Sequence, residues 1–166
     1  NAITIRELCE DVGADAARWF FVSKDVASHM DFDMNLARTR DNNNPVFYAQ
    51  YAYTRMNSIM NNPQMPAFVP QRNYSRLTDE KELQILKMVS EFPALVADAA
   101  ATRKPNKITE YIQSLARVYH SYYVSAKVNN PDDPALTNER LGLVKATMIT
   151  LKNALDLIGV SAPESM

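Results

Sequence analysis

Apolar residues recur every three or four positions through most of this chain, the interval that lines one side of an α-helix. Runs of Pro, Asn and Asp break the pattern into segments. Thr4-Ile5-Arg6-Glu7 reads as a capping box opening a helix over Ile5 to Val12, and Gly13 is placed to end it. A second helix is expected after Asp15, with Asp15 as its cap. Ser28 to Asp33 reads as a loop, from which Asp33 caps a short helix through Arg40. The polar run Asp41-Asn42-Asn43-Asn44 then separates it from a long helix with Asn44 as cap and Pro45 first. Pro63, Pro66 and Pro70 make Asn61 to Arg76 an irregular connection, pinned to the body by Met65, Phe68 and Val69.

The helical period returns at Thr78. Leu83, Leu86, Met88 and Val89 predict one apolar face; Pro93 is expected to open a separate helix carrying Leu95, Val96 and Ala99, which Lys104-Pro105 ends. From about Ile108 to Val128 the predicted core side is Ile108, Tyr111, Ile112, Leu115, Tyr119, Tyr122 and Ala126, with Ala116, His120, Tyr123 and Lys127 on its flank. Asn129 to Pro134 reads as a turn-rich loop, and Thr137 is expected to cap a last helix. There Leu141, Val144, Met148, Leu151, Leu155 and Ile158 form a stripe ending at Gly159. The pattern predicts an all-α helical bundle.

The long helix from Pro45 carries more than a core face. At about 100° per residue, Val46, Ala49, Tyr53, Met56 and Met60 share one side, and Tyr48, Tyr51, Ala52, Arg55 and Ile59 another. Two phenol rings and a guanidinium can stack on bases and hold a phosphate. Spacing alone equally fits one broad buried face whose Tyr and Arg tips reach the surface.

Composition narrows the chemistry. With 166 residues the chain suffices for one well-buried domain, and its 46% hydrophobic and 22% charged residues are ordinary for a globular protein. A net charge of −1 argues against a general basic coat, so any RNA contact must be local. The single cysteine, Cys9, excludes an internal disulfide framework and a cysteine-rich zinc site, and reads as a small apolar residue. No apolar run is long enough to span a membrane, and no signal-peptide layout stands at the start. His29 and His120 are isolated, Asp31 and Asp33 read as loop bracing and cap, and no Gly-rich phosphate loop or nucleophile set is present. The sequence therefore offers no catalytic residue, no metal site and no cofactor site of its own.

Ordered motifs add a resemblance. Asp31-Phe32-Asp33-Met34-Asn35-Leu36-Ala37, followed by Asn-Pro-Val-Phe-Tyr-Ala-Gln-Tyr-Ala-Tyr-Thr-Arg at Asn44 to Arg55, resembles the junction into the anticodon-binding domain of arginyl-tRNA synthetases. Upstream, Asp15-Ala16-Ala17-Arg18 resembles the Asp-Ala-Leu-Arg motif that names this type of domain, with Ala17 in place of Leu. Downstream, Ala162-Pro163-Glu164-Ser165-Met166 resembles the family's Ala-Pro-Glu-x-Met. The similarity runs over essentially the whole chain.

The resemblance implies a class I synthetase anticodon-binding bundle over residues 41–166, with residues 1–40 as the end of the catalytic module and its junction helices. It implies a parent enzyme that condenses arginine with ATP, using Mg, and transfers it to arginine tRNA. Here the His-x-Gly-His and Lys-Met-Ser-Lys signatures are missing, so the chain reads as a fragment that is inactive alone. The implied partners are the anticodon loop of arginine tRNA and the N-terminal and catalytic modules of the parent, in a cytoplasmic monomer without membrane association. Residues carried over by motif position are Tyr48, Tyr51, Arg55, His120, Tyr123 and Met166. Tyr48 and Tyr51 would offer stacking faces, Arg55 would meet phosphate or a base, and Met166 would give a polarizable apolar contact. The family's common Pro-His before the Tyr-rich helix is Pro105-Asn106 here, so that His contact is not carried over. Asp15 and Arg18 are expected to serve as cap and surface ion pair in a structural hinge. The competing reading is a helical protein-interaction module, since Tyr and Met enrichment also marks protein interfaces. A third reading is the related domain of another synthetase of the same structural class, such as the cysteinyl or methionyl enzyme, against which the Tyr-rich signature helix and the Pro-Glu-Ser-Met segment favour the arginyl resemblance.

Overall fold

Side-chain caps open most of the helices in the computed structural model, which describes residues 3–166; Asn1 and Ala2, the start of the expected junction segment, lie outside the described residues. Helix α1 (Ile5–Val12) begins at the Thr4–Glu7 capping box, and Gly13 ends it at φ 86°. Gly13 leads straight into α2 (Ala14–Val22) without a side-chain cap. Asp15 therefore lies inside the first turn and is not the expected cap. Asp33 caps α3 (Met34–Arg38), which stops two residues short of Arg40. Asn44 caps α4 (Pro45–Met60), with Pro45 at its first turn. Helices α5 (Glu80–Thr102), α6 (Asn106–Ser125) and α7 (Pro134–Leu157) follow.

Helices α4 to α7 form a four-cornered bundle. α6 and α7 touch each other, and each touches both α4 and α5, which stand at opposite corners. α2 packs on α4 and α6 and carries α1 and α3 with it. Trp19 fixes this join, buried among Pro45 of α4 and Thr109 and Gln113 of α6. The stripe on α7 is buried at Leu141, Val144, Leu151, Leu155 and Ile158. No helix among the described residues is long and apolar enough to cross a membrane.

Further expectations need correction. Pro93 lies within a continuous α5 and opens no new helix. It lacks the N–H that would serve the Val89 carbonyl, but its ring is exposed and the turn around it is held by α6. Phe92 stacks on Tyr111 with centroids 5.1 Å apart, and the Tyr111 hydroxyl donates to the Met88 carbonyl at 2.9 Å. Leu83 is exposed, and the inward position belongs to Glu82. One Glu82 oxygen closes the α5 capping box by accepting from the Asp79 amide at 3.2 Å, and the other accepts from Arg140 Nε at 2.7 Å. A buried carboxylate is tolerable when it is so paired.

Thr137 does not cap α7, because the helix starts one turn earlier at Asp133, whose side chain accepts from the Leu136 amide at 3.0 Å. The buried Thr137 hydroxyl instead ties the preceding loop, accepting from the Asn130 amide at 2.8 Å and donating to its carbonyl at 3.0 Å. In the 61–79 connection Met65 and Phe68 pack on the core, but Val69 is exposed. Its backbone is held instead: the Val69 amide donates to Asn138 Oδ1 at 2.8 Å, and Asn138 Nδ2 donates back to the Val69 carbonyl at 2.9 Å. Gly142 makes room for this connection, since a Cβ there would lie 2.5 Å from a Tyr74 ring carbon and 3.0 Å from Phe68.

Candidate functional site

Helix α4 has three sides. Val46, Ala49, Ala52, Tyr53 and Met56 are buried, so Ala52 belongs to the core rather than to the Tyr and Arg side. Tyr48, Tyr51 and Arg55 form the second side and are half-buried against α6. Gln50, Thr54 and Asn57, spaced four and three apart, form a polar third side.

On the second side, α4 and α6 bring five of the expected residues together. The His120 ring lies 4.4 Å from the Tyr48 ring centroid and 5.7 Å from that of Tyr51. His120 Nε2 meets the Tyr48 carbonyl at 3.2 Å. A carbonyl only accepts, so Nε2 carries the proton and Nδ1 is left as an acceptor. Burial pushes the imidazole below its ordinary range; the Tyr48 carbonyl raises it in part, and Arg55 lowers it further. His120 is therefore neutral near pH 7.

Arg55 fills a slot between two rings, its Cζ 4.4 Å from the Tyr51 centroid and 4.5 Å from that of Tyr123. It also donates to the Tyr51 hydroxyl at 2.7 Å. A guanidinium and a nucleobase are both flat, so a slot that accepts one suits the other. Tyr123 is exposed and Tyr119 lies buried behind it, with ring centroids 6.3 Å apart. Ala116, expected on the flank, is fully buried.

Met166 is exposed and approaches from the other direction. It lines a cleft of about 710 Å³ with Phe47, Gln50, Ser161 and Arg40, among others. Phe47 in turn stacks on Tyr51 with centroids 6.0 Å apart, so it separates Met166 from the Tyr51 slot. Sequence reasoning missed Phe47, although its place four residues before Tyr51 was a usable signal.

The remaining candidates are structural. His29 and Asp31 face each other at 3.4 Å, both exposed. Asn106 donates to Glu110 at 3.0 Å within the first turn of α6. Cys9 is half-buried and unpaired. No group of three or more His, Cys, Asp or Glu side chains suited to a metal occurs among the described residues. What the site offers is planar faces, one cation and one neutral imidazole, which is chemistry for recognition.

The sequence profile of the DALR anticodon binding domain matches residues 49–166. The arginine–tRNA ligase of Bacillus pumilus is 46% identical over all of the chain, and arginine–tRNA ligase 2 of Bacillus thuringiensis is 48% identical. The chain spans 30% of the length of each of these curated relatives. Among solved structures, the arginyl-tRNA synthetase of Campylobacter jejuni aligns over the whole chain with a TM-score of 0.86 at 25% identity, covering 36% of that protein. The Thermus thermophilus arginyl-tRNA synthetase aligns likewise with a TM-score of 0.77 at 26% identity, covering 28% of it.

Proposed function

Because this chain belongs to the DALR anticodon-binding domain family, in its arginyl-tRNA synthetase branch, we propose that it grips the anticodon loop of arginine tRNA for a parent arginine–tRNA ligase. The parent joins arginine to that tRNA at the expense of ATP. Residues 41–166 are the recognition domain, and residues 1–40 close the catalytic module and form its junction. The parent is a cytoplasmic monomer. ATP and Mg act in the catalytic module of the parent. The chain alone is inactive in aminoacylation.

The observation that carries this reading is the Tyr51–Arg55–Tyr123 stack beside a neutral His120. Unstacked loop bases lie against Tyr48 and Tyr51, with Tyr123 closing the far side of the slot. An entering base displaces the Arg55 guanidinium, which then meets a backbone phosphate or a base edge. His120 Nδ1 accepts a hydrogen bond from an exocyclic amine. Met166 supports the loop through an apolar contact beside Phe47. One local cation among aromatic faces is consistent with a net charge of −1 and calls for a shallow salt dependence. The family match does not favour the protein-interaction alternative.

The test is salt-dependent binding of arginine tRNA transcripts with the native and with an altered anticodon. Preferential binding of the native anticodon supports the reading. Equal binding of both contradicts it.

A further inference from the structure

Helix α7 leaves a close record of where the chain goes next. Gly159 turns at φ 67°, its amide donates to the Asp156 carbonyl at 3.0 Å, and the Val160 amide donates to that of Leu155 at 3.0 Å. This paired bonding is a Schellman ending, with Val160 buried beneath it. The Gly159 carbonyl then receives the Arg18 guanidinium from α2. The φ of 67° is what favours a glycine here, since the Arg18 nitrogen that a Cβ would approach to 2.8 Å is the far end of a flexible side chain.

Two residues on, Asp15 of α2 takes hold of Ser161. Its carboxylate accepts from the Ser161 amide at 3.2 Å, from the Ser161 hydroxyl, and from Gln50 Nε2 of α4 at 2.9 Å. Gln50 Nε2 also lies 3.0 Å from the Ser161 carbonyl. Further along, the Thr54 hydroxyl donates to the Pro163 carbonyl at 2.9 Å and Asn57 Nδ2 to that of Glu164 at 3.1 Å. Gln50, Thr54 and Asn57 are the third side of α4, and at about 100° per residue Phe47 falls between that side and Tyr51. The 159–166 segment therefore flanks the aromatic surface along its length. Its last side chain, Met166, returns to the cleft beside Phe47.

We propose that Asp15 and Arg18 are positioning residues for the tRNA-binding surface: from α2 they fix the 159–166 segment on α4 and so set Met166 in the cleft beside Phe47, one ring away from the Tyr51 slot. This rests on the RNA-binding reading above. It replaces the cap and ion-pair roles expected for these two residues, and it links the junction helices mechanically to the anticodon site. Neither residue touches RNA. Their effect on binding runs through Met166.

A double-mutant cycle in the full protein tests this, with an anticodon stem-loop of arginine tRNA as ligand. Losing hydrogen bonds to a charged group is expected to weaken binding by about tenfold in Asp15→Ala. Met166→Ala should give a loss of similar size, and the double variant should be no weaker than the weaker single one. Without RNA, the Ser161 amide should exchange its hydrogen faster in Asp15→Ala, while melting temperature changes little. Should Asp15→Ala not fold, Ser161→Ala, which removes the hydroxyl that donates to Asp15 and accepts from Gln50 Nε2 at 3.2 Å, runs the same cycle. Additive losses, or undiminished binding by a variant whose Ser161 amide has been freed, overturn the positioning role alone. A wild-type protein that does not bind the stem-loop overturns the RNA reading and this inference with it.

Discussion

Arg55 and Tyr51 are joined twice, by a guanidinium 4.4 Å from the ring centroid and by a 2.7 Å hydrogen bond to the hydroxyl of the same ring. The same guanidinium lies 4.5 Å from the Tyr123 centroid, so Arg55 links Tyr51 to the other ring of the slot. Tyr53, two residues on, points the other way and is buried in the core.

Tyr51→Ala should therefore weaken binding of the anticodon stem-loop by about 1 to 3 kcal/mol, the worth of one base stacked on an aromatic, with a small change in melting temperature. Tyr53→Ala should cost about 3 kcal/mol of stability, as large-to-small core changes do. Paired stem-loop titrations and urea melts check both. A Tyr51→Ala protein that unfolds without a binding-specific loss would merge the two sides of the helix into one.

His120 should make stability depend on pH. Its folded pKa is lowered, chiefly by burial, so the unfolded chain binds the proton more readily than the folded one. The stability it contributes is fully present above the unfolded value of about 6.5 and is lost as pH falls from there through the lower folded value. Urea melts from pH 7.5 downward should show this decline, and His120→Gln should flatten it.

Much of this architecture was legible because its signals are local. Asn44-Pro45 and Thr4-x-x-Glu7 cap their helices through residues at most three apart, and the α6 and α7 stripes follow from spacing alone. Two of the failures depended on distant partners. Pro93 stays within a helix because Phe92 stacks on Tyr111, and Glu82 turns inward because Arg140 waits on α7. Neither neighbour is visible from the local pattern. The site divides in the same way. Tyr48, Tyr51 and Arg55 are neighbours by helical spacing, but their meeting with His120 and Tyr123 needs α4 and α6 to pack together. The third side of α4 was hidden because Gln50, Thr54 and Asn57 find their partners in a segment more than 100 residues away.

Removing the Glu82 partner should be costly. Arg140→Met leaves a carboxylate only 1% exposed without its cation, and breaking such a buried pair is expected to destabilise by about 3 kcal/mol. Replacing both partners, Glu82→Leu with Arg140→Met, should recover much of that loss. Urea denaturation of the single and double variants measures it.

Gly142→Ala should loosen the 61–79 connection. The new methyl would lie 2.5 Å from a Tyr74 ring carbon, so the ring or the loop must move, at about 1 to 3 kcal/mol. Faster hydrogen exchange at the Val69 amide, whose acceptor Asn138 sits on the same helix, would show where the strain is released.

Nuclear magnetic resonance of the 166-residue chain during titration with an arginine tRNA anticodon stem-loop tests the central claim most directly. The aromatic resonances of Tyr48, Tyr51, His120 and Tyr123 and the Arg55 Nε–H should shift together and saturate together, and a stem-loop with an altered anticodon should move them less. Shifts confined to another face of the bundle, or the same shifts with either anticodon, would contradict an anticodon site on α4 and α6.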